Sequence, residues 1–122
     1  MISNTVQAPP LVRYEDLAKM IDHSLVRPEL TDDEVIAGCE LARKYDVASV
    51  SVRPCDVEIA VRVLTGSAVK VGSLAGFPHG SSTTAVKLYE ARDVLRAGLQ
   101  TSPWISVDDT GARHKVANGF CT

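Results

Sequence analysis

At 122 residues the chain has room for one small domain and one core, with about two thirds of its unfolded surface buried, so two independent domains are not expected. A hydrophobic share of 45%, a charged share of 23% and a net charge of -2 describe an ordinary globular chain, neither disordered nor basic enough to suggest nucleic acid as a partner. No apolar run approaches the ~20 residues of a membrane span, and the opening MISNTVQAPPLVRYEDL has neither the basic nor the apolar region of a secretion signal, so no membrane is implied and a cytosolic protein is expected.

Residues 14 to 21, YEDLAKMI, put Leu17, Met20 and Ile21 at helical spacing and predict a short amphipathic helix ending near Asp22. The next helix has a clear start, with Thr31 as N-cap and Glu34 three residues on as its capping-box partner; Val35, Ile36, Cys39 and Ala42 form its apolar stripe. VASVSV, residues 47 to 52, reads as a short buried strand with Pro54 at its exit. Residues 56 to 65 turn helical, with Asp56 able to cap, Ile59, Ala60, Val63 and Leu64 on one face, and Gly66 as the stop.

VKVGSLA, residues 69 to 75, is a second strand, and residues 82 to 97 predict a long helix with Ala85, Leu88, Ala91 and Leu95 inward and Gly98 as its stop. This strand and helix alternation from Val47 onward, repeating at roughly 20 residues, is the βαβ pattern of parallel strands joined by right-handed crossovers. An α/β fold follows, and two strands are too few for a finished parallel sheet. After Gly98 the rhythm breaks; only WISV, residues 104 to 107, could serve as a further strand.

Several groups could carry chemistry. In LAGFPHGSS, residues 74 to 82, His79 lies just past a strand end, where α/β proteins place ligands, and reads either as an acid or base or as a polar turn residue between Pro78 and Gly80. Gly76, Gly80 and the hydroxyls of Ser81 to Thr84 could cradle a phosphate or only cap a helix, since neither G-x-x-x-x-G-K-S/T nor G-x-G-x-x-G is present. Asp22, His23 and Ser24 in MIDHSL pack three hydrogen-bonding side chains where the first helix ends, either as a site or as capping groups. Arg53 and Cys55 in SVRPCD could face a ligand, with a surface ion pair as the alternative for the arginine.

An imine-forming enzyme needs a desolvated lysine, but Lys19, Lys44 and Lys87 fall on expected polar helix faces, Lys70 at the amino end of its strand and Lys115 in the irregular tail. Cys39, Cys55 and Cys121 are odd in number and have no C-x-x-C spacing, so neither a disulfide framework nor a zinc site is signalled.

LAKMIDHSLVRPELTDDEVIAGCELARKYDVASVSVRPCDVEIAVRVL, followed by VKVGSLAGFPHGSSTTAVKLYEARDVLRAG, resembles the amino-terminal part of deoxyribose-phosphate aldolase over about Leu17 to Gly98. The motifs that carry the resemblance are Asp-x-Ser/Thr-x-Leu, V-R-P and G-F-P-x-G, in that order and spacing. It implies the amino-terminal portion of a (β/α)8 TIM barrel, cut off after about two βα units, and a class I, cofactor-free and metal-free reaction. That reaction is reversible cleavage of 2-deoxy-D-ribose 5-phosphate to acetaldehyde and D-glyceraldehyde 3-phosphate through a lysine Schiff base.

The resemblance places the imine lysine on the sixth strand, a second lysine on the seventh, an acid–base aspartate at the end of the third and phosphate contacts in the last two loops. All fall beyond Gly98, where LQTSPWISVDD departs from the family pattern, so the role is not carried to Asp108 or Asp109 and the chain is expected to be inactive alone. Asp22 and Ser24 match the pair on the pocket floor, and Phe77, Pro78 and His79 match the loop bordering the substrate. Ser51 stands where the family often has cysteine, a difference expected to touch packing more than chemistry.

The domain plan is therefore a flexible lead over residues 1 to 13, a partial barrel over 14 to 98 and a divergent, weakly structured tail over 99 to 122. Uncovered strand edges make self-association or aggregation expected. Two other function classes stay open: a non-catalytic interaction protein that uses the exposed edge, and a compact phosphate-binding module on the Gly76 to Thr84 loop.

Overall fold

The computed structural model describes residues 13–101 and 106–109; the expected lead and the stretch from residue 110 onward lie outside these except for Arg13. The elements run α1 (Tyr14–Ala18), β1 (Asp22–Leu25), α2 (Asp32–Tyr45), β2 (Ser49–Val52), α3 (Val57–Leu64), β3 (Lys70–Ala75), α4 (Thr84–Thr101) and β4 (Ser106–Asp109), with a 3-10 turn at Pro54–Asp56 before α3. All neighbouring strands are parallel, in the order β1-β2-β3-β4. Each crossover carries a helix, as parallel pairing requires.

Strand alternation divides the sheet into two unlike faces. Leu25, Val50, Val52, Val71, Ser73 and Ala75 are buried beneath the helices, joined in the core by Val35, Cys39, Ala42, Ala60, Leu64 and Val94. The one hydroxyl among the sheet residues on that side, Ser73 Oγ, donates to the Val52 carbonyl at 3.0 Å, so its burial leaves no polar group unmet. The other face carries Asp22, Ser24, Ser49, Ser51, Gly72 and Leu74, none of them fully buried. Parallel sheets are ordinarily covered on both faces, and a polar second face that none of the described residues covers is what the inside of an opened barrel presents.

The capping box at Thr31 forms as its sequence predicts: Thr31 N–H donates to Glu34 Oε2 at 2.8 Å, and Glu34 N–H donates to Thr31 Oγ1 at 3.4 Å. The bond from Thr31 N–H, and a second that the Thr31 hydroxyl donates to Glu34 Oε2 at 3.0 Å, hold the Glu34 carboxyl below the usual carboxylate range. Gly66, at φ 79°, turns the chain after α3 as expected.

Other expectations are corrected. MIDHSL does not merely end a helix, because Asp22–Leu25 is a strand; the strand after α4 is consequently the fourth. The first helix ends at Ala18, short of the predicted Ile21, and its expected apolar stripe is not covered: Leu17, Met20 and Ile21 are all exposed, and within α1 Ala18 is the buried residue. Asp56 stands at the N-cap of α3 as expected, but its side chain makes no cap bond, because its carboxylate is engaged by Arg53.

Gly98 does not stop α4, which runs on to Thr101 with Gly98 buried on its inner side. A glycine inside a helix costs about 1 kcal/mol against alanine, but ends the helix only where the chain turns left-handed. The inner face of α4 is also rotated from the predicted one: Lys87 and Val94 are buried, whereas Ala85, Leu88 and Leu95 are exposed. Of residues 99 to 122, the first three continue α4 and Ser106–Asp109 form β4, which shares two residues with the predicted WISV.

Candidate functional site on the open sheet face

Asp22 opens β1 and pairs in register with Ser49, while Ser24 pairs with Ser51. In parallel strands paired residues share a face, so four polar side chains converge. Ser49 Oγ donates to Asp22 Oδ1 at 2.6 Å and Ser51 Oγ to Asp22 Oδ2 at 2.8 Å. Both carboxylate oxygens are thus held, each with acceptor capacity left over, and the group is open to solvent. Ser24, also exposed, stands one strand position along the same face.

His23, between them, faces the other way and lines an apolar groove with Leu17, Ile21 and Leu41. Asp22, His23 and Ser24 are therefore not a triad, and alternation is the reason. Ser49 was missed by reasoning from the sequence, and Ser51, expected to touch packing, instead bonds the carboxylate. The period of two in Ser49-Val50-Ser51-Val52 was the signal that could have found both.

The second cluster lies beyond the carboxyl end of β3. Gly76 and Gly80 both take left-handed backbone, at φ 74° and 62°, and Gly80 N–H donates to the Gly76 carbonyl at 2.7 Å, closing a tight loop. The Phe77–Pro78 peptide in it is cis. Gly76 N–H donates to Glu90 Oε2 at 2.6 Å, so α4 anchors the loop from below. Phe77, Pro78 and His79 are exposed on its rim. Phe77 and His79 line a groove of about 560 Å³ together with Pro54, Cys55, Ser81, Ser82 and Tyr89.

The two clusters are not in contact. Asp22 is level with Ser49 and hence with Lys70, and the five residues from there to Ala75 amount to about 17 Å of strand. His79 is accordingly not brought to Asp22. One cluster sits toward the amino ends of the strands and the other borders their carboxyl mouth.

Arg53 has a structural task. Its Nε donates to Asp56 Oδ2 at 2.5 Å and Nη2 to Asp56 Oδ1 at 3.1 Å, while Nη1 and Nη2 reach the carbonyls of Pro28 at 2.7 Å and Leu30 at 3.0 Å. The bond to Asp56 raises the arginine pKa further. The guanidinium therefore clamps the β1–α2 connection to the turn after β2 and is committed within the fold. Beside it, burial first and then the Asp56 charge push the Cys55 thiol up, away from a reactive thiolate.

The lysines also separate. Lys19 bonds Asp46 at 2.7 Å on the surface, Lys44 lies over the Tyr45 ring at 5.5 Å, and Lys70 begins β3, as expected. Lys87 is not on a polar helix face: it is 6% exposed and its Nζ has no partner among the described residues. Lys115 lies outside the described residues. Among the described residues, no three His, Cys, Asp or Glu side chains are grouped to hold a metal, and no helix is long and apolar enough to cross a membrane.

No protein-family model matches the chain. Among curated proteins, deoxyribose-phosphate aldolase of Rhodopirellula baltica is 42% identical over 88 residues, 72% of this chain and 36% of the relative. Among solved structures, a Coccidioides immitis protein described as a candidate deoxyribose-phosphate aldolase aligns with a TM-score of 0.70 and 29% identity over 81% of this chain and 38% of its own. The deoxyribose-phosphate aldolase of Aeropyrum pernix, described as a tetramer, gives 0.67 and 30% over 78% and 39%. The chain thus spans less than two fifths of each of these relatives, and over that span it is similar, in sequence and in fold alike, to the amino-terminal portion of the deoxyribose-phosphate aldolase barrel.

Proposed function

We propose that this chain forms one wall of the sugar-phosphate pocket of a cytosolic deoxyribose-phosphate aldolase, with Asp22 and Ser24 on the floor and Phe77, Pro78 and His79 at the rim. The observation that carries the reading is the Asp22 carboxylate held by Ser49 and Ser51 on the face of the parallel sheet that no described helix covers. A carboxylate fixed by two hydroxyl donors is preorganised to accept a further hydrogen bond from a substrate hydroxyl or an ammonium, without reorienting.

The reaction is the reversible cleavage of 2-deoxy-D-ribose 5-phosphate, in which a lysine imine draws off the electron pair as the carbon–carbon bond breaks. In this reading the chain supplies the wall and not the imine. Lys19 and Lys44 are at the surface, Lys70 is at the amino mouth, and Lys87 lies under the helices.

Titration of the isotopically labelled chain with 2-deoxy-D-ribose 5-phosphate tests the pocket. Amide shifts are expected at residues 22–24, 49–51 and 77–79, and shifts confined elsewhere would remove the assignment. Borohydride added with acetaldehyde is expected to trap no lysine adduct; a stoichiometric adduct would show that the chain carries its own imine lysine.

A further inference from the structure

The rim loop hangs from one residue. β3 ends at Ala75, so Gly76 is where the chain leaves the sheet, and its left-handed backbone turns the chain outward. The Gly76 N–H, which would otherwise be an orphaned donor, is met by Glu90 Oε2 at 2.6 Å. From Phe77 to Ser82, Gly80 N–H returns to the Gly76 carbonyl at 2.7 Å, and among the described residues none of this stretch is hydrogen-bonded or ion-paired to another element. Lys87, three residues before Glu90 and so on the same side of α4, lays its stem against Gly76 as well. Both grips on the loop therefore come from α4 and act on Gly76. Phe77 and His79, exposed beyond it, take their direction from that residue more than from packing of their own.

We propose that Glu90 is the positioning residue of this rim: it fixes the direction in which the chain leaves β3, and through it where Phe77 and His79 stand against the sugar phosphate, without touching the substrate itself. A carboxylate accepting a backbone N–H makes one of the stronger hydrogen bonds a loop can be given. The acceptor rides on a seated helix, since Val94 one turn further along α4 is 2% exposed in the core, so the anchor is rigid where the loop is not. The charge of Glu90 works against the binding of an anion nearby, whereas its reach to Gly76 favours it. Charge and position thus make opposite predictions for its replacement. The inference rests on the pocket reading and adds how the rim of that pocket is held.

Titration and amide exchange of the same labelled chains test it. Glu90→Gln keeps an oxygen acceptor at the same reach and drops the charge, Glu90→Asp keeps the charge one methylene short, and Glu90→Ala drops both. With 2-deoxy-D-ribose 5-phosphate as titrant, the Kd read at residues 77–79 is expected to rise about tenfold in Glu90→Ala and Glu90→Asp and to stay within about threefold of the parent in Glu90→Gln. Exchange of the Gly80 amide is expected to quicken about tenfold in the alanine and aspartate variants, with the amides of Val50, Val52 and Val71 unchanged. Tighter binding by Glu90→Gln and Glu90→Ala beside parent-like binding by Glu90→Asp would reveal a charge effect and overturn the proposal. So would an unchanged Gly80 rate, or sheet amides that quicken as much as Gly80, the mark of a general loss of stability. A parent chain with no shift at residues 22–24, 49–51 or 77–79 removes the pocket and this inference with it. Parent shifts that persist at unchanged Kd in Glu90→Ala and Glu90→Asp remove the role of Glu90 and leave the pocket standing.

Discussion

The side chain of Lys87 fills the space that Gly76 leaves open: a β-carbon on Gly76 would lie 2.8 Å from Lys87 Cδ and 3.0 Å from Cγ. Gly76 also sits at φ 74°, where any other L-residue is strained. Gly76→Ala is expected to lower stability by about 1–3 kcal/mol, read as a fall in the urea midpoint at unchanged slope. An unchanged midpoint would mean that the loop tolerates a side chain.

Lys87 carries an amine into the core with no partner among the described residues. Burying a polar group unpaired costs about 1–3 kcal/mol on the scale of protein mutations. Lys87→Met keeps the stem that packs on Gly76 and removes the amine, so it is expected to raise stability by about 1 kcal/mol in urea unfolding. A loss of stability would reveal a partner for the amine.

Asp56 is 2% exposed and its carboxylate is met by both Nε and Nη2 of Arg53. Removing Asp56 leaves Arg53 without its carboxylate but still partly exposed and bonded to the carbonyls of Pro28 and Leu30, a loss of about 1–3 kcal/mol. Asp56→Ala is expected to destabilise on that scale. Arg53→Lys, which cannot span both oxygens and the carbonyls of Pro28 and Leu30 together, is expected to lose about half as much. Thermal unfolding of the two variants beside the parent chain checks the order.

Burial pushes the Cys39 thiol up, from an ordinary 9.0 to about 11, with smaller contributions from the charges of Glu40 and Asp56. The folded state holds the proton more tightly than the unfolded one. Below pH 9 the thiol is protonated in both states and its contribution is constant. Between about pH 9 and 11 the unfolded thiol ionises first, and stability falls by up to about 1.4 kcal/mol per pH unit. Cys39→Ala is expected to flatten that part of the stability profile. At pH 8, iodoacetamide is expected to label Cys55 and spare Cys39, as read by peptide mapping.

Ser49→Ala together with Ser51→Ala removes both donors from Asp22. The cluster is open to solvent, so stability is expected to change by less than about 1 kcal/mol. The amide shifts induced at residues 22–24 by 2-deoxy-D-ribose 5-phosphate are expected to disappear. Their persistence would mean that Asp22 is positioned by the backbone alone.

The parts of the fold legible from the sequence are those whose partners lie close along the chain. The Thr31 and Glu34 box, the stripe of Val35, Cys39 and Ala42, and the buried alternation of Val50 and Val52 all depend on spacing within one element. What escaped depended on neighbours. DHSL is a strand because Ser49 to Val52 pair with it, and four residues of mixed polarity do not announce that. The stripe of α4 at Leu88 and Leu95 reads from spacing as facing the core, but both are exposed, while Lys87, whose stem packs on Gly76, and Val94 face inward, a choice that propensity does not encode. Within the site, Asp22, Ser24 and the Phe77 to His79 loop were legible as motifs, while the serines that orient Asp22 sit 27 and 29 residues away.

The one-sided placement of α2, α3 and α4 makes the steadiness of this protein a property of its surroundings. Any binding partner that covers the hydroxyl-rich face or the two strand edges in the folded state alone adds RT ln(1 + [L]/Kd) to stability, about 2.7 kcal/mol at a hundredfold excess over Kd. Where that partner is another copy of the same chain, the melting temperature climbs with protein concentration, and dilution itself acts as a denaturant.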